Sequence, residues 1–289
     1  EYLKVGIVGA TGFASERMLP EMKHSHTCKI IAIQGRNQKK LDELAHKFNI
    51  PKTYISLDNM LLDDQYDVIY LATPPYMHYE QLVNILESKK AKNILCEKPI
   101  VLSEKELVDL QEVVKKNQRV SIYVGHHIRH QQCIEDLKDS VEKKIIGEIV
   151  FAEGQWGYKI DPRASYILWK LDQNKGGFSV MGDPGIHVID LMYFLFGKPY
   201  TVGAYGSSVI HSSTIDNVTA ILSYEKMQAV INASQTMGYS ENRLLIIGTE
   251  GRIEIENCFS QTYIPSMKII SKKGTQEKKY DEVLLFKVF

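Results

Sequence analysis

The sequence predicts an α/β protein in two parts: a doubly wound parallel sheet over residues 1–124 and an α+β domain over residues 125–289 with a large, mostly antiparallel open sheet. Three observations predict this. Short apolar runs alternate with helical segments up to about residue 124, and the rhythm then changes to closely spaced strands. A length of 289 residues also suits two cores, since domains commonly hold roughly 100–200 residues.

The run Leu3–Val8 is apolar apart from Lys4 and ends in a glycine-rich turn, the pattern of a buried parallel strand that feeds a helix. Further runs at 30–33, 68–72, 94–96 and 120–124 are separated by helical segments near 16–22, 39–48, 79–88 and 104–117. Right-handed crossovers turn this alternation into a parallel sheet. Ser103 and Glu106 form a capping box that opens the last of these helices. Beyond Gly125, helices are expected at 134–143 and Pro184–Phe196, with strands at 149–158, 202–208, 218–224, 229–234, 243–247, 252–256 and 268–271. Thr249-Glu250-Gly251 is a tight turn between two of them, as in an antiparallel meander. The junction lacks linker composition, so the halves are expected to pack closely around a cleft.

Charge excludes some function classes. Lysine plus arginine and aspartate plus glutamate number 35 each, so no global field favours nucleic acid or an anionic membrane. Cys28, Cys96, Cys133 and Cys258 are widely separated, which suits buried, reduced thiols in a cytoplasmic protein rather than a disulfide framework. No stretch approaches the roughly eighteen apolar residues of a membrane helix, and the first residues enter a strand without a signal-peptide pattern.

Gly9-Ala10-Thr11-Gly12-Phe13-Ala14 lies between the first strand and the first helix, where a Rossmann fold sets a dinucleotide pyrophosphate on backbone N–H groups. In the GxGxxG/A register Thr11 replaces the middle glycine, and the alternative register uses Gly9 and Gly12. The ribose is ordinarily read at the end of the second strand, where a carboxylate favours NAD. This segment is Gln34-Gly35-Arg36-Asn37, and Arg36 can donate to a 2′-phosphate or stack on adenine, so NADP is expected in preference to NAD.

Glu97-Lys98-Pro99 closes the fourth strand, after Thr73-Pro74-Pro75-Tyr76-Met77-His78 behind the third. Gly176-Gly177 and Asp183-Pro184-Gly185-Ile186-His187-Val188-Ile189-Asp190 follow. In this order, from residue 3 to about 257, the elements resemble the glucose-fructose oxidoreductase, inositol dehydrogenase and rhizopine-catabolism (Gfo/Idh/MocA) family. The resemblance implies a nicotinamide-dependent dehydrogenase or reductase acting on a sugar, cyclitol or related polyol, and a homodimer or homotetramer formed through the C-terminal sheet. It implies that Lys98, Asp183 and His187 are catalytic, that Pro99 places Lys98, and that Thr73, Pro74, His78 and Glu97 line the cofactor site. It also implies further helix and strand beyond a segment like Tyr280–Phe289.

Physical reasoning supports the same residues. Carboxyl ends of parallel strands face the ligand crevice, so Lys98 is expected to point toward the nicotinamide and to stabilise charge on a substrate oxygen. The Pro184–Phe196 helix has almost no polar face and is expected to be buried, with His187 and Asp190 as exceptions that need partners or a purpose. Asp183 is also its expected N-cap, with Pro184 at the first helical position. His187 is the expected proton-transfer group, with a near-neutral unperturbed pKa, and Lys98 assists; the reverse assignment stays open.

His126-His127-Ile128-Arg129-His130 with Cys133 has some spacing of a metal site, but no matching cluster accompanies it, so His127 and Arg129 are expected to line the substrate cleft. Trp156, Tyr158, Arg163 and Trp169 are candidate groups for stacking on, or bonding to, a sugar. Two rival functions share the fold: a non-catalytic cofactor-binding regulator, and an NADPH-dependent reductase resembling biliverdin reductases. The Lys98, Asp183 and His187 set favours alcohol-to-carbonyl chemistry.

Overall fold

The computed structural model describes residues 2–161, 169–172, 175, 179–210, 214–260 and 263–280. Its contacts divide the chain after Gly125 into two compact units.

The first unit holds six parallel strands: β1 (Leu3–Val8), β2 (Cys28–Gln34), β3 (Lys52–Tyr54), β4 (Tyr66–Leu71), β5 (Ala91–Cys96) and β6 (Ser121–Val124), in the order β3-β2-β1-β4-β5-β6. This is a Rossmann sheet, and its order reverses between the neighbours β1 and β4, whose carboxyl ends therefore open a crevice. The helices are α1 (Phe13–Glu16), α2 (Met18–Met22), α3 (Gln38–Phe48), α4 (Leu57–Asp63), α5 (His78–Ser88) and α6 (Glu104–Lys116). Val8, Ile69, Leu71, Leu82, Ile85, Leu86 and Ile94 are buried together in one core cluster.

The expected helix at 16–22 is two short pieces. Pro20 has no N–H to donate to Glu16, so the first piece ends there. Ser103 Oγ accepts from Glu106 N at 3.2 Å as a cap should, while Glu106 Oε2 accepts from Leu102 N at 2.8 Å.

The second unit holds eight strands: β7 (Ile149–Lys159), β8 (Thr201–Ser207), β9 (Asn217–Ser223), β10 (Gln228–Ser234), β11 (Thr236–Gly248), β12 (Gly251–Glu256), β13 (Ser266–Ser271) and β14 (Gly274–Lys279). Their order is β14-β13-β12-β11-β7-β10-β9-β8, and the β7–β10 pair is parallel whereas the other ladders are antiparallel. Helix α7 (Gln132–Glu142), the 3-10 turn His127–His130 and helix α8 (Pro184–Phe196) accompany the sheet.

Helix α8 lies close on β7 because Gly154 has no side chain. A Cβ there would stand 2.4 Å from Val188 Cγ1 and 2.9 Å from Met192 Cε. The helix is not buried all round, as its composition suggested. Val188, Leu191 and Met192 are buried, but Tyr193 is 53% exposed and Ile189 39%. On the opposite sheet face Tyr205 and Ile221 stand exposed.

All four cysteines are free and buried. Among the described residues no helix is long and apolar enough to cross a membrane.

Candidate active site

The β1–α1 turn is built around Gly9, whose φ of +82° lies in the left-handed region that favours glycine. Its N–H and that of Ala10 donate to Gln34 O at 3.0 and 2.9 Å, which ties the turn to the end of β2. The missing middle glycine has a geometric explanation. Thr11 turns its side chain toward Gly35, where a Cβ would lie 3.1 Å from Thr11 Cγ2. At Gly12 a Cβ would meet nothing within 4 Å, and Phe13 is exposed while Ala14 is buried.

At the end of β2, Gln34 is buried and donates through Nε2 to Ile55 O at 2.9 Å. Asn37 Oδ1 accepts from Lys40 N at 3.1 Å and caps α3. Arg36 stands exposed between them, with no carboxylate in the 34–37 segment. A glycine turn open on one side at the end of β1 fits the pyrophosphate of a dinucleotide.

His78 requires a correction. It is fully buried, with Nδ1 2.8 Å from Pro99 O and Nε2 2.8 Å from Thr73 O, so its ring ties two loops together instead of touching a cofactor. Burial lowers its pKa below the ordinary histidine value, against the opposing pull of the two carbonyls. Thr73 Oγ1 donates to Gln81 Oε1 at 2.5 Å, and Pro74 opens the 3-10 turn Pro75–Met77.

After β5 come Glu97, Lys98 and Pro99, joined by a cis Lys98–Pro99 bond, and Lys98 is partly exposed. Tyr70, buried in β4, donates its hydroxyl to Glu97 Oε1 at 2.7 Å. Burial raises the Glu97 pKa, while the Tyr70 hydrogen bond and the charge of Lys98 oppose it. A carboxyl raised in the fold binds its proton more tightly than in the unfolded chain. Its ionisation therefore costs stability as pH rises above the ordinary carboxylate range. Glu97→Gln is expected to raise the melting temperature by on the order of a few degrees at pH 8 and by less at pH 5, read by thermal melts; a fall at pH 8 contradicts this.

In the second unit, β7 carries Trp156 and Tyr158 toward α8. Asp183, expected as the N-cap of α8, makes no side-chain capping bond. Its carboxylate turns instead to three donors: the Tyr158 hydroxyl in a short hydrogen bond, Lys170 Nζ at 2.7 Å and Gln235 Nε2 at 3.4 Å. Competition from these partners explains the lost cap. Burial and the neighbouring Asp183 charge push the Tyr158 pKa well up, so the phenol keeps its proton at neutral pH. The Lys170 ammonium lies 5.9 Å from the ring centres of both Tyr158 and Trp169.

His187, one turn into α8, is 3% exposed. Its ring lies 5.0 Å from Trp156, 5.4 Å from His127 and 6.5 Å from His126. Trp156 is stacked in turn on Phe259 at 5.4 Å.

Arg129 has a partner within the second unit. Expected at the substrate, it forms a two-pronged ion pair with the buried carboxylate of Asp190, with Nε 2.7 Å from Oδ2 and a shorter second bond. The pair gives the aspartate on this apolar helix the partner that a buried charge requires. His127 is mostly buried, with its ring edge-on to that of His187 at 5.4 Å. Arg163, Gly176 and Gly177 lie outside the described residues. Among the described residues no group of three or more His, Cys, Asp or Glu is arranged to hold a metal ion.

The structure thus groups Tyr158, Trp169, Asp183 and two residues the sequence did not single out, Lys170 and Gln235. Lys170 looks like any surface lysine in sequence. Gln235 gave a faint signal, a glutamine directly after the apolar strand β10.

A Rossmann sheet with a glycine turn at its switch point, joined to a unit bearing a histidine and an anchored aspartate, defines a nicotinamide-dependent oxidoreductase. The model described as the oxidoreductase family, NAD-binding Rossmann fold, matches residues 3–126, and that of the GFO/IDH/MocA C-terminal domain matches residues 134–254. The chain belongs to the GFO/IDH/MocA oxidoreductase family. The trans-1,2-dihydrobenzene-1,2-diol dehydrogenase of Mus musculus is 27% identical over 272 residues, 90% of this chain and 76% of that protein. Two solved structures share the fold. The aldose-aldose oxidoreductase of Caulobacter crescentus, complexed with glycerol, has a TM-score of 0.87 at 19% identity, covering 98% of this chain and 84% of that one. The open conformation of KijD10, a 3-ketoreductase from Actinomadura kijaniata in complex with TDP-benzene and NADP, has a TM-score of 0.81 at 18% identity, covering 96% and 84%. The protein is a dehydrogenase or reductase that binds NAD or NADP through its first unit.

Proposed function

We propose that the protein interconverts an alcohol and a carbonyl on a sugar, cyclitol or related polyol, with NADP preferred over NAD. The observation that carries this reading is the grouping in the second unit. A nearly buried imidazole, His187, stands one turn along α8 from Asp183, whose carboxylate is held by Tyr158, Lys170 and Gln235. Such a group offers several donors and acceptors to a polyhydroxylated ligand, and Trp169 adds an aromatic face beside Lys170. The names of the mouse, Caulobacter and Actinomadura relatives describe chemistry on diols, aldoses and ketones, which supports the same class.

In this reading His187 takes the hydroxyl proton in the oxidative direction and returns it in the reductive one. Lys98 stabilises the negative charge that develops on the substrate oxygen. Asp183 is an anchored acceptor that orients the substrate, its Oδ2 held by Tyr158, Lys170 and Gln235. When bound, the nicotinamide supplies or accepts the hydride.

The test is a panel of sugars, cyclitols and polyols with each cofactor, followed by the absorbance of the reduced nicotinamide, together with cofactor titrations. NADPH is expected to bind more tightly than NADH. Arg36→Ala is expected to weaken NADPH binding by roughly 10–100-fold, the loss of a charged hydrogen bond to phosphate, and NADH binding by much less. Equal affinity of the unaltered protein for the two cofactors overturns the NADP preference. Absence of turnover across the panel overturns the substrate class.

A further inference from the structure

His187, Asp190 and Phe194 are spaced i, i+3 and i+7 on α8 and so share one face of the helix. The segment 126–130 runs along that face. His127 meets the ring of His187 edge-on at 5.4 Å, and His126 does so at 6.5 Å. His126 Nδ1 lies 3.6 Å from Asp190 Oδ1. Arg129 then pairs both prongs of its guanidinium with Asp190, and its central carbon lies 5.1 Å from the Phe194 ring centre. Lys138 Nζ of α7 sits 4.3 Å from that ring centre.

A carboxylate on an apolar helix, 7% exposed, is costly to keep unless the geometry it fixes is useful. Replacing a buried charge and its partner with apolar residues is often neutral or favourable for stability, so folding alone gives the buried Asp190 little reason to be charged, although Arg129 itself is one third exposed.

We propose that Arg129 and Asp190 are positioning residues that staple the 126–130 turn to α8 and thereby fix the orientation of the His187 ring through His126 and His127. Neither residue needs to touch the substrate. A shift of about 1 Å in a proton-transfer group can cost roughly 100-fold in rate, so such a staple has leverage on turnover. Among the described residues, the charged and titratable groups near His187 include His126 and His127 from the turn, Asp190 from its own helix with Arg129 balancing it, and Asp183 one turn earlier at the helix start. The neighbour from β7 is the uncharged indole of Trp156. The inference rests on the reading of His187 as the proton-transfer group.

The test uses Asp190→Asn, Arg129→Gln, the double variant and Arg129→Lys in the full chain. The kcat is expected to fall about 10–100-fold in each of the first two, with KM and the NADPH dissociation constant within roughly 3-fold of the unaltered protein. The double variant should be no slower than the worse single one, as for residues acting as a unit. Arg129→Lys should recover part of the rate, since it keeps the charge but not the fork. The pH profile of kcat should be displaced. The His187 ring signals in nuclear magnetic resonance spectra of the cofactor-free protein should move and titrate with a different midpoint.

Lower melting temperatures with an unchanged pH profile and unchanged His187 signals make the pair a purely structural brace and overturn the proposal. The spectra also separate the two readings. If no substrate is turned over but Asp190→Asn still alters the His187 titration, the staple stands and the proposed function falls. Should Asp190→Asn fail to fold, Arg129→Lys decides by the same spectra.

Discussion

Replacing His187 with glutamine is expected to lower kcat by roughly 10²–10⁴-fold, the range of a lost general acid or base, while NADPH binding stays unchanged. Glutamine keeps the volume and hydrogen-bonding capacity of the buried site but cannot carry a proton near neutral pH. The ring packs against Trp156 and His127, so a side chain of similar volume keeps that packing while losing the proton-transfer group. Lys98→Met removes a charge and leaves the length of the side chain. Its expected effect is a loss of roughly 10²–10³-fold in kcat, comparable to the loss of one electrostatic stabiliser of the developing oxyanion. Steady-state rates of both variants on a substrate found in the panel check the two values. A His187→Gln enzyme within roughly 3-fold of the unaltered rate removes His187 from the chemistry.

Gly9→Val is expected to abolish cofactor binding by damaging the first unit itself. A side chain at φ +82° is strained, and a Cβ would lie 2.8 Å from Ala72 O, Thr73 N and Thr73 Cγ2. Two of those atoms are backbone at the end of β4 and cannot swing aside. Strain and overlap together cost on the order of 3 kcal/mol, a large part of the stability of one domain. Thermal melts should show the first unit unfolding early, and NADPH affinity should fall at least about 100-fold. Gly12→Ala is the control. Nothing lies within 4 Å of the added Cβ, so no overlap is introduced and the melt should change far less than in Gly9→Val. A Gly9→Val melt indistinguishable from that of the unaltered protein contradicts this account of the turn.

Strands β1, β2, β4 and β5 are legible in the sequence because most of their residues are buried on both faces and they are therefore nearly uninterrupted in apolar residues. The strand β3 escapes because Lys52-Thr53-Tyr54 is short and has no apolar run, and α4 because its seven residues span barely two turns. In the second unit β14 has no apolar residue at all. It is a fully exposed edge strand, and its lysines and glutamate suit an edge that must resist pairing with another chain.

The site divides along similar lines. His187 is legible as a polar residue on an otherwise apolar helix, and Lys98 as a cation at the end of a parallel strand. The partnerships are not. Asp183 has the sequence context of a local cap, whereas it bonds to Gln235 at a separation of 52 residues. Arg129 has the context of a substrate contact, whereas its partner Asp190 lies 61 residues away. Local signals such as capping patterns describe bonds within one turn. Pairings made by the closure of a sheet around a helix leave no trace in residue spacing.

The most direct measurement is a single turnover at saturating NADP of a substrate deuterated at the reacting carbon, compared between the unaltered protein and His187→Gln. The account predicts that nicotinamide reduction itself slows by at least roughly 100-fold in the variant and carries a full deuterium effect there, because proton removal and hydride departure share one transition state. An unchanged reduction rate in the variant, with only product release altered, would show that the imidazole takes no part in bond breaking.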